Sequence, residues 1–132
     1  MSEPALRVEM FPSDLTRFVD FYVAVLRFEL VQDRRADAIP YVSVRRGSVR
    51  IGASQSWQPI DQAQRSVPTG IEIVIEVDDL KAERAAIVSA GHPVAEDVTS
   101  CPWGLPDFRI FDPDGHYVRF TTRPTRRNAP LS

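Results

Sequence analysis

Four charged residues sit at matching places in a chain that repeats itself: Arg7, Arg50, Glu72 and Arg119. Arg7 and Glu72 are mates of the repeat, since 72 − 7 = 65. Arg50 and Arg119 match because each lies in a Val-Arg-aliphatic or Val-Arg-aromatic strand, Val49-Arg50-Ile51 and Val118-Arg119-Phe120. A guanidinium stays protonated and has no lone pair to give a metal. It does hold a carboxylate, phosphate or sulfate through paired hydrogen bonds. Two readings fit these residues. They form a charged cleft floor in which Glu72 pairs with arginine and the spare positive charge draws an anionic ligand, or they are polar residues alternating outward on a wet sheet face. Gly52, two residues beyond Arg50, takes the Arg50 position under a small register shift.

Aromatic residues offer a second kind of chemistry. Trp57 and Trp103 both fall in loop-like sequence, bracketed by Ser56 and Gln58 or by Pro102 and Gly104. A tryptophan there either stacks on a planar ligand or anchors its loop to the core. Tyr41 and Phe108 are further pocket candidates on the same argument. Glu9 and Glu76 share faces with Arg7 and Glu72 and read as salt-bridging or solvated carboxylates. His116 follows an Asp-Pro-Asp-Gly turn and reads as an exposed turn residue. His92 follows Gly91 and is placed at a helix C-terminus. Neither histidine is assigned catalytic work. Cys101, the one cysteine, reads as a packing residue beside Pro102 and Trp103.

Two similar units must position these residues. Leu6 to Phe11 alternates as a half-buried strand, with Leu6, Val8 and Met10 on one side and Arg7, Glu9 and Phe11 on the other. Ser13 is the candidate N-cap of a helix whose stripe is Phe18, Phe21, Tyr22, Val25 and Leu26. Strands follow over 28–31, 41–44 and 49–53, the last two joined by an Arg45-Arg46-Gly47-Ser48 turn. The series then restarts. Ile71 to Val77 mirrors the first strand, and Asp78 or Asp79 caps a helix ending at Gly91. A short strand opens at Val94, and two more strands cover 108–111 and 117–121 around the Asp112-Pro113-Asp114-Gly115 turn. Asp14-Leu15 and Asp79-Leu80 stand 79 − 14 = 65 apart, which marks the repeat. The expected fold is α+β: two tandem βαβββ modules forming a curved mixed sheet around a cleft. Module one spans 5–53, a Gln-, Ser- and Pro-rich linker 54–69, module two 70–122, and a Pro- and Arg-rich tail 123–132.

Composition narrows the class. A chain of 132 residues with 43% hydrophobic content can bury a core of ordinary size. A net charge of −2 speaks against a nucleic-acid-binding module. The apolar runs are strand-sized, so no membrane span is expected, and without a charged n-region and apolar h-region no signal peptide is expected. A single cysteine cannot form an internal disulfide, which suits the cytoplasm.

Several motifs carry a family likeness. Asp14-Leu15 with Phe18, Phe21-Tyr22 and Leu26, then Pro102-Trp103-Gly104, then Phe111-Asp112-Pro113-Asp114-Gly115, together resemble the vicinal-oxygen-chelate superfamily. That superfamily includes glyoxalase I, extradiol dioxygenases, fosfomycin-resistance enzymes and bleomycin-resistance proteins. The resemblance covers roughly 5–122. It implies four strand positions where metal-using members carry His, Glu or Gln, and these fall here at Arg7, Arg50, Glu72 and Arg119. Three arginines and one glutamate do not make a divalent-cation site. The Pro102-Trp103-Gly104 segment, with Phe108 and the Asp112-Pro113 turn, resembles the metal-free bleomycin-resistance branch, whose members sequester a drug. That branch implies a homodimer, no cofactor, no metal and no catalytic residue, with Arg7, Tyr41, Arg50, Trp57, Glu72, Trp103, Phe108 and Arg119 around an aromatic or anionic small molecule. The sequence leaves open whether a reaction is catalysed. The alternative is a metal-free isomerase or lyase acting on a small organic acid, with Glu72 or Glu76 as base.

Overall fold

The computed structural model describes residues 4–55, 72–99 and 105–122. The chain divides into two compact units, residues 1–62 and 63–132. In the first, strand β1 (Val8–Met10) leads into helix α1 (Leu15–Val19), which widens into a π-helical stretch over Asp20–Val25. Strands β2 (Glu29–Arg34), β3 (Tyr41–Arg46) and β4 (Val49–Ser54) follow. In the second, β5 (Ile73–Val77), helix α2 (Leu80–Ser89), β6 (Glu96–Thr99), β7 (Asp107–Phe111) and β8 (Tyr117–Thr122) repeat that order. The two sheets are separate and mixed. Their strand orders, β1-β4-β3-β2 and β5-β8-β7-β6, are the same topology written twice. In each, the opening strand lies parallel to the closing one, and the other neighbours are antiparallel.

The same local chemistry starts both helices. The Asp14 carboxylate accepts from the Arg17 N–H at 3.0 Å, and the Asp79 carboxylate accepts from the Ala82 N–H at 3.0 Å. Ser13, the expected cap, instead accepts from the Arg17 guanidinium at 3.0 Å. Asp14 has the extended backbone that a cap needs, and its oxygen reaches an amide that would otherwise lack a partner. Gln55, just past β4, adds a long-range clasp: its side-chain carbonyl accepts from the Leu15 N–H, and its amide donates to the Ser13 carbonyl. Helix α2 ends as expected. Gly91 takes φ +85°, its N–H donates to the Val88 carbonyl, and the His92 N–H donates to the Ile87 carbonyl.

Alternation then sorts the strand residues onto two faces. One face of the first sheet carries Met10, Val42, Val44, Ile51 and Ala53, all buried. Against it lie Phe18 and Tyr22, and the Tyr22 hydroxyl reaches Met10 Sδ at 3.7 Å. The corresponding face of the second sheet carries Ile75, Phe108, Ile110, Val118 and Phe120. The opposite faces carry the charged residues.

The structure departs from expectation in local ways. β1 is shorter than 5–11, because only Val8–Met10 has β4 alongside to pair with. β6 begins at Glu96 rather than Val94. The first helix is α-helical for only five residues, and the Leu26 N–H then reaches back five positions to the Phe21 carbonyl. Among the described residues, no helix is long and apolar enough to cross a membrane.

Candidate functional site

The polar face of the second sheet is a closed ion-pair network. Glu72, just ahead of β5, puts Oε1 3.4 Å from Arg119 Nη1 and Oε2 3.4 Å from Arg109 Nε. Asp107, its side chain only 6% exposed, bridges the same two arginines at 2.9 Å (Arg119 Nε) and 3.3 Å (Arg109 Nη1). Glu96 lies 3.8 Å from Arg109 and accepts from the Tyr117 hydroxyl at 2.7 Å. The Arg109 guanidinium also lies 5.7 Å from the centre of the Tyr117 ring, within range of a cation–π contact. Burial, helped by the Glu96 hydrogen bond, pushes the Tyr117 phenol up to about 12. Burial alone would lower the Arg109 pKa, but Asp107 and Glu72 outweigh it and raise it. Among the described residues of this face, two guanidiniums therefore meet three carboxylates, and no positive charge is spare.

The first sheet treats the same face differently. Arg7 Nε lies 2.9 Å from Glu9 Oε1, and the Tyr41 hydroxyl donates to the same oxygen at 3.1 Å. Burial and that hydrogen bond raise the Tyr41 pKa, so the phenol stays a donor. Both side chains cross above Gly52, where a Cβ would collide with the Glu9 carboxylate and the Tyr41 hydroxyl. Arg50 donates to the Leu6 carbonyl at 3.3 Å, and Arg45 pairs with Glu29 at 3.3 Å. A cavity of about 190 Å³ opens here, walled by Arg7, Gln32, Tyr41, Ser43, Arg45 and Arg50.

Sheet register corrects one assignment. Val8 pairs with Ile51, and its repeat mate Ile73 pairs with Val118. Ile51 is thus the mate of Val118, and Gly52, not Arg50, is the mate of Arg119. Arg50 corresponds to Tyr117. It still shares the Gly52 face, because the two are two residues apart on one strand.

A second correction concerns Phe108. It is 0% exposed and stacks on Phe120 with ring centroids 5.2 Å apart, so it belongs to the core and not to the polar face. Its neighbours Asp107 and Arg109 hold that face instead, and sequence reasoning missed both. The signal was period two: Asp107, Arg109 and Phe111 share one side of β7, and Phe108 and Ile110 the other. Trp57, Trp103 and Cys101 lie outside the described residues. His116 is not a free turn residue either. Its Nδ1 is 2.9 Å from Asp112 Oδ2, and Asp112 also accepts from the Asp114 and His116 N–H groups, which ties the turn together. The His92 ring lies against the Phe111 carbonyl at 2.7 Å.

The metal positions implied by the resemblance become Arg7, Gly52, Glu72 and Arg119. Two guanidiniums and a hydrogen atom supply no donor, and both Glu72 oxygens face arginine. This donor set does not fit a divalent cation. Among the described residues, no group of three or more His, Cys, Asp or Glu could hold a metal.

Comparison with known proteins agrees with the fold. TioX from Micromonospora sp. ML1 superposes with a TM-score of 0.74 at 22% identity, over 92% of this chain and 100% of that one. TnmS3, an antibiotic binding protein from Streptomyces sp. CB03234, gives 0.71 at 20% identity, over 93% and 98%. The fosfomycin resistance protein FosX from Listeria monocytogenes gives 0.73 at 11% identity, over 97% and 96%. No curated protein matches the chain in sequence. Residues 5–120 match the pattern of one family across both repeats, and the chain belongs to the Glyoxalase/Bleomycin resistance protein/Dioxygenase superfamily.

Proposed function

We propose that this chain is a metal-independent small-molecule binding protein of the bleomycin-resistance type, which sequesters its ligand unchanged. The observation that carries this reading is Glu72 held between Arg109 and Arg119 at 3.4 Å on each side. The one carboxylate at an expected ligand position is thereby committed to ion pairing. The same placement supports binding over a metal-free isomerase or lyase with Glu72 as base, since both of its oxygens already face guanidiniums and neither is turned to a substrate proton. TnmS3, an antibiotic binding protein of similar fold, supports the ligand class. In this reading Arg7, Tyr41 and Arg50 meet polar groups of the ligand, and Trp57 and Trp103 stack on its planar part. Glu72 and Arg119 hold the second sheet's face in shape. The proposed working unit is a homodimer in the cytoplasm, without cofactor, nucleic acid or membrane.

Tryptophan fluorescence of chelator-treated protein titrated with bleomycin tests the reading. Saturable quenching at micromolar drug, with the drug recovered unchanged, is the expected result. Quenching that requires an added divalent metal, or recovery of an altered drug, contradicts it.

A further inference from the structure

The two sheets differ at each matched position of the polar face. Register alignment pairs Arg7 with Glu72, Gln32 with Glu96, Tyr41 with Asp107, Ser43 with Arg109 and Gly52 with Arg119. Every residue of the second sheet's ion-pair network is answered in the first by a residue of different charge. Where Arg109 fills the second face, Ser43 leaves the first face open, while the Glu9 carboxylate and the Tyr41 hydroxyl take the space over Gly52 that Arg119 takes in the second sheet. The cavity of about 190 Å³ stands beside Ser43.

Its charge is also different. No carboxylate lines it among the described residues, and three guanidiniums do. Arg7 is paired with Glu9 and Arg45 with Glu29. Arg50 meets only the Leu6 carbonyl, and no carboxylate among the described residues lies within ion-pair distance of it. Among the described residues, the pocket therefore carries one uncompensated positive charge, with Arg7 alongside. Strand β2 is bulged between Leu30 and Gln32, and the extra residue, Val31, lines the cavity and is 52% exposed. A bulge re-aims side chains beside a site. Here it sets an apolar wall next to the guanidiniums.

We propose that the first sheet alone carries an anion subsite for a singly charged carboxylate attached to a small apolar or aromatic body. The carboxylate sits on Arg50 and Arg7, the Ser43 hydroxyl donates to it, and the carbon body lies on Val31. One net positive charge matches a carboxylate better than a phosphate dianion. The cavity is smaller than a typical drug-sized pocket of about 300–1,000 Å³, so it takes one group of a ligand rather than a whole large one. This rests on the proposed binding function and names part of its ligand.

The test is an amide chemical-shift titration of the full-length protein with benzoate, benzamide and phenyl phosphate. Benzoate should shift the Gln32, Ser43 and Arg50 amides saturably and leave Arg109 and Arg119 unmoved. Benzamide, the neutral isostere, should bind at least about tenfold more weakly, as should Arg50→Gln with benzoate, because a charge-assisted hydrogen bond is lost. Arg34→Gln, at the end of β2, which removes an exposed pair with Asp37 in the following turn, should bind benzoate like the parent. Shifts centred on Arg109 and Arg119, equal binding of benzamide, tighter binding of phenyl phosphate, or no benzoate binding at all would each overturn the proposal. Quenching by bleomycin together with no benzoate binding would remove the subsite and leave the binding function standing. The reverse pattern would keep the subsite and remove bleomycin as a ligand.

Discussion

Gly52 occupies in the first sheet the position that Arg119 occupies in the second. Gly52 pairs with Glu9 and Ser43 across its neighbouring strands, and Arg119 pairs with Val74 and Arg109. One position holds a long cation in one repeat; in the other it holds a hydrogen, and the Glu9 carboxylate and Tyr41 hydroxyl close over it.

Gly52 should therefore resist enlargement. A Cβ there meets the Glu9 carboxylate and the Tyr41 hydroxyl, which must part from each other to admit it. Both are the far ends of flexible side chains that can swing aside, so Gly52→Ala is expected to cost only about 1 kcal/mol, the worth of the Tyr41–Glu9 hydrogen bond it breaks, measured by urea unfolding. Glu9→Ala in the same background should return part of that cost, because one of the two colliding groups is gone. Equal stability of Gly52→Ala and the parent would show that the close approach above Gly52 does not constrain the sheet.

The second face should behave as one coupled unit. Removing Arg119 leaves the nearly buried Asp107 with a single partner, so Arg119→Met is expected to destabilise by about 1–3 kcal/mol. Asp107→Asn combined with Arg119→Met should cost less than the sum of the two, with a coupling of about 0.5–3 kcal/mol. Strict additivity in that double-mutant cycle would mean that the network has no collective strength.

Tyr117 gives a pH signature. Its phenol is pushed up to about 12 by burial and the Glu96 hydrogen bond, from an ordinary value of 10.0. A group raised in the folded state contributes stability that is complete below its unfolded pKa and lost as pH rises through the folded one. Stability should thus fall between about pH 10 and pH 12, and Tyr117→Phe should flatten that fall. Phenolate absorbance should show a late-ionising tyrosine that the same substitution removes. Ionisation of all three tyrosines near pH 10 would refute the assignment.

Much of the architecture was legible because the repeat is written in residues with local jobs. Asp14 and Asp79 cap helices at the same point of each module, and Leu15 and Leu80 are buried one residue later. The polar face was harder to read. The repeat offset drifts from 73 − 8 = 65 on the opening strands to 118 − 51 = 67 on the closing ones. The second hairpin turns over 112–116 where the first turns over 47–48, so the two copies lose step. The Val-Arg motif then matched Arg50 to Arg119. A slip of two residues keeps a side chain on the same face, so alternation could not expose it. Phe108 misled for the opposite reason: its aromatic type suggested a pocket, while its place in the alternation put it under the sheet. The π-helical widening after Val19 left no mark in the spacing of Phe18, Phe21, Tyr22 and Leu26, which fits either helix within one turn.

Mn²⁺ binding to chelator-stripped protein, followed by calorimetry, shows whether Arg7, Gly52, Glu72 and Arg119 leave the protein without a divalent-cation site. No saturable site tighter than about 1 mM is expected. One Mn²⁺ bound per chain at micromolar affinity, and lost in Glu72→Ala, would contradict that.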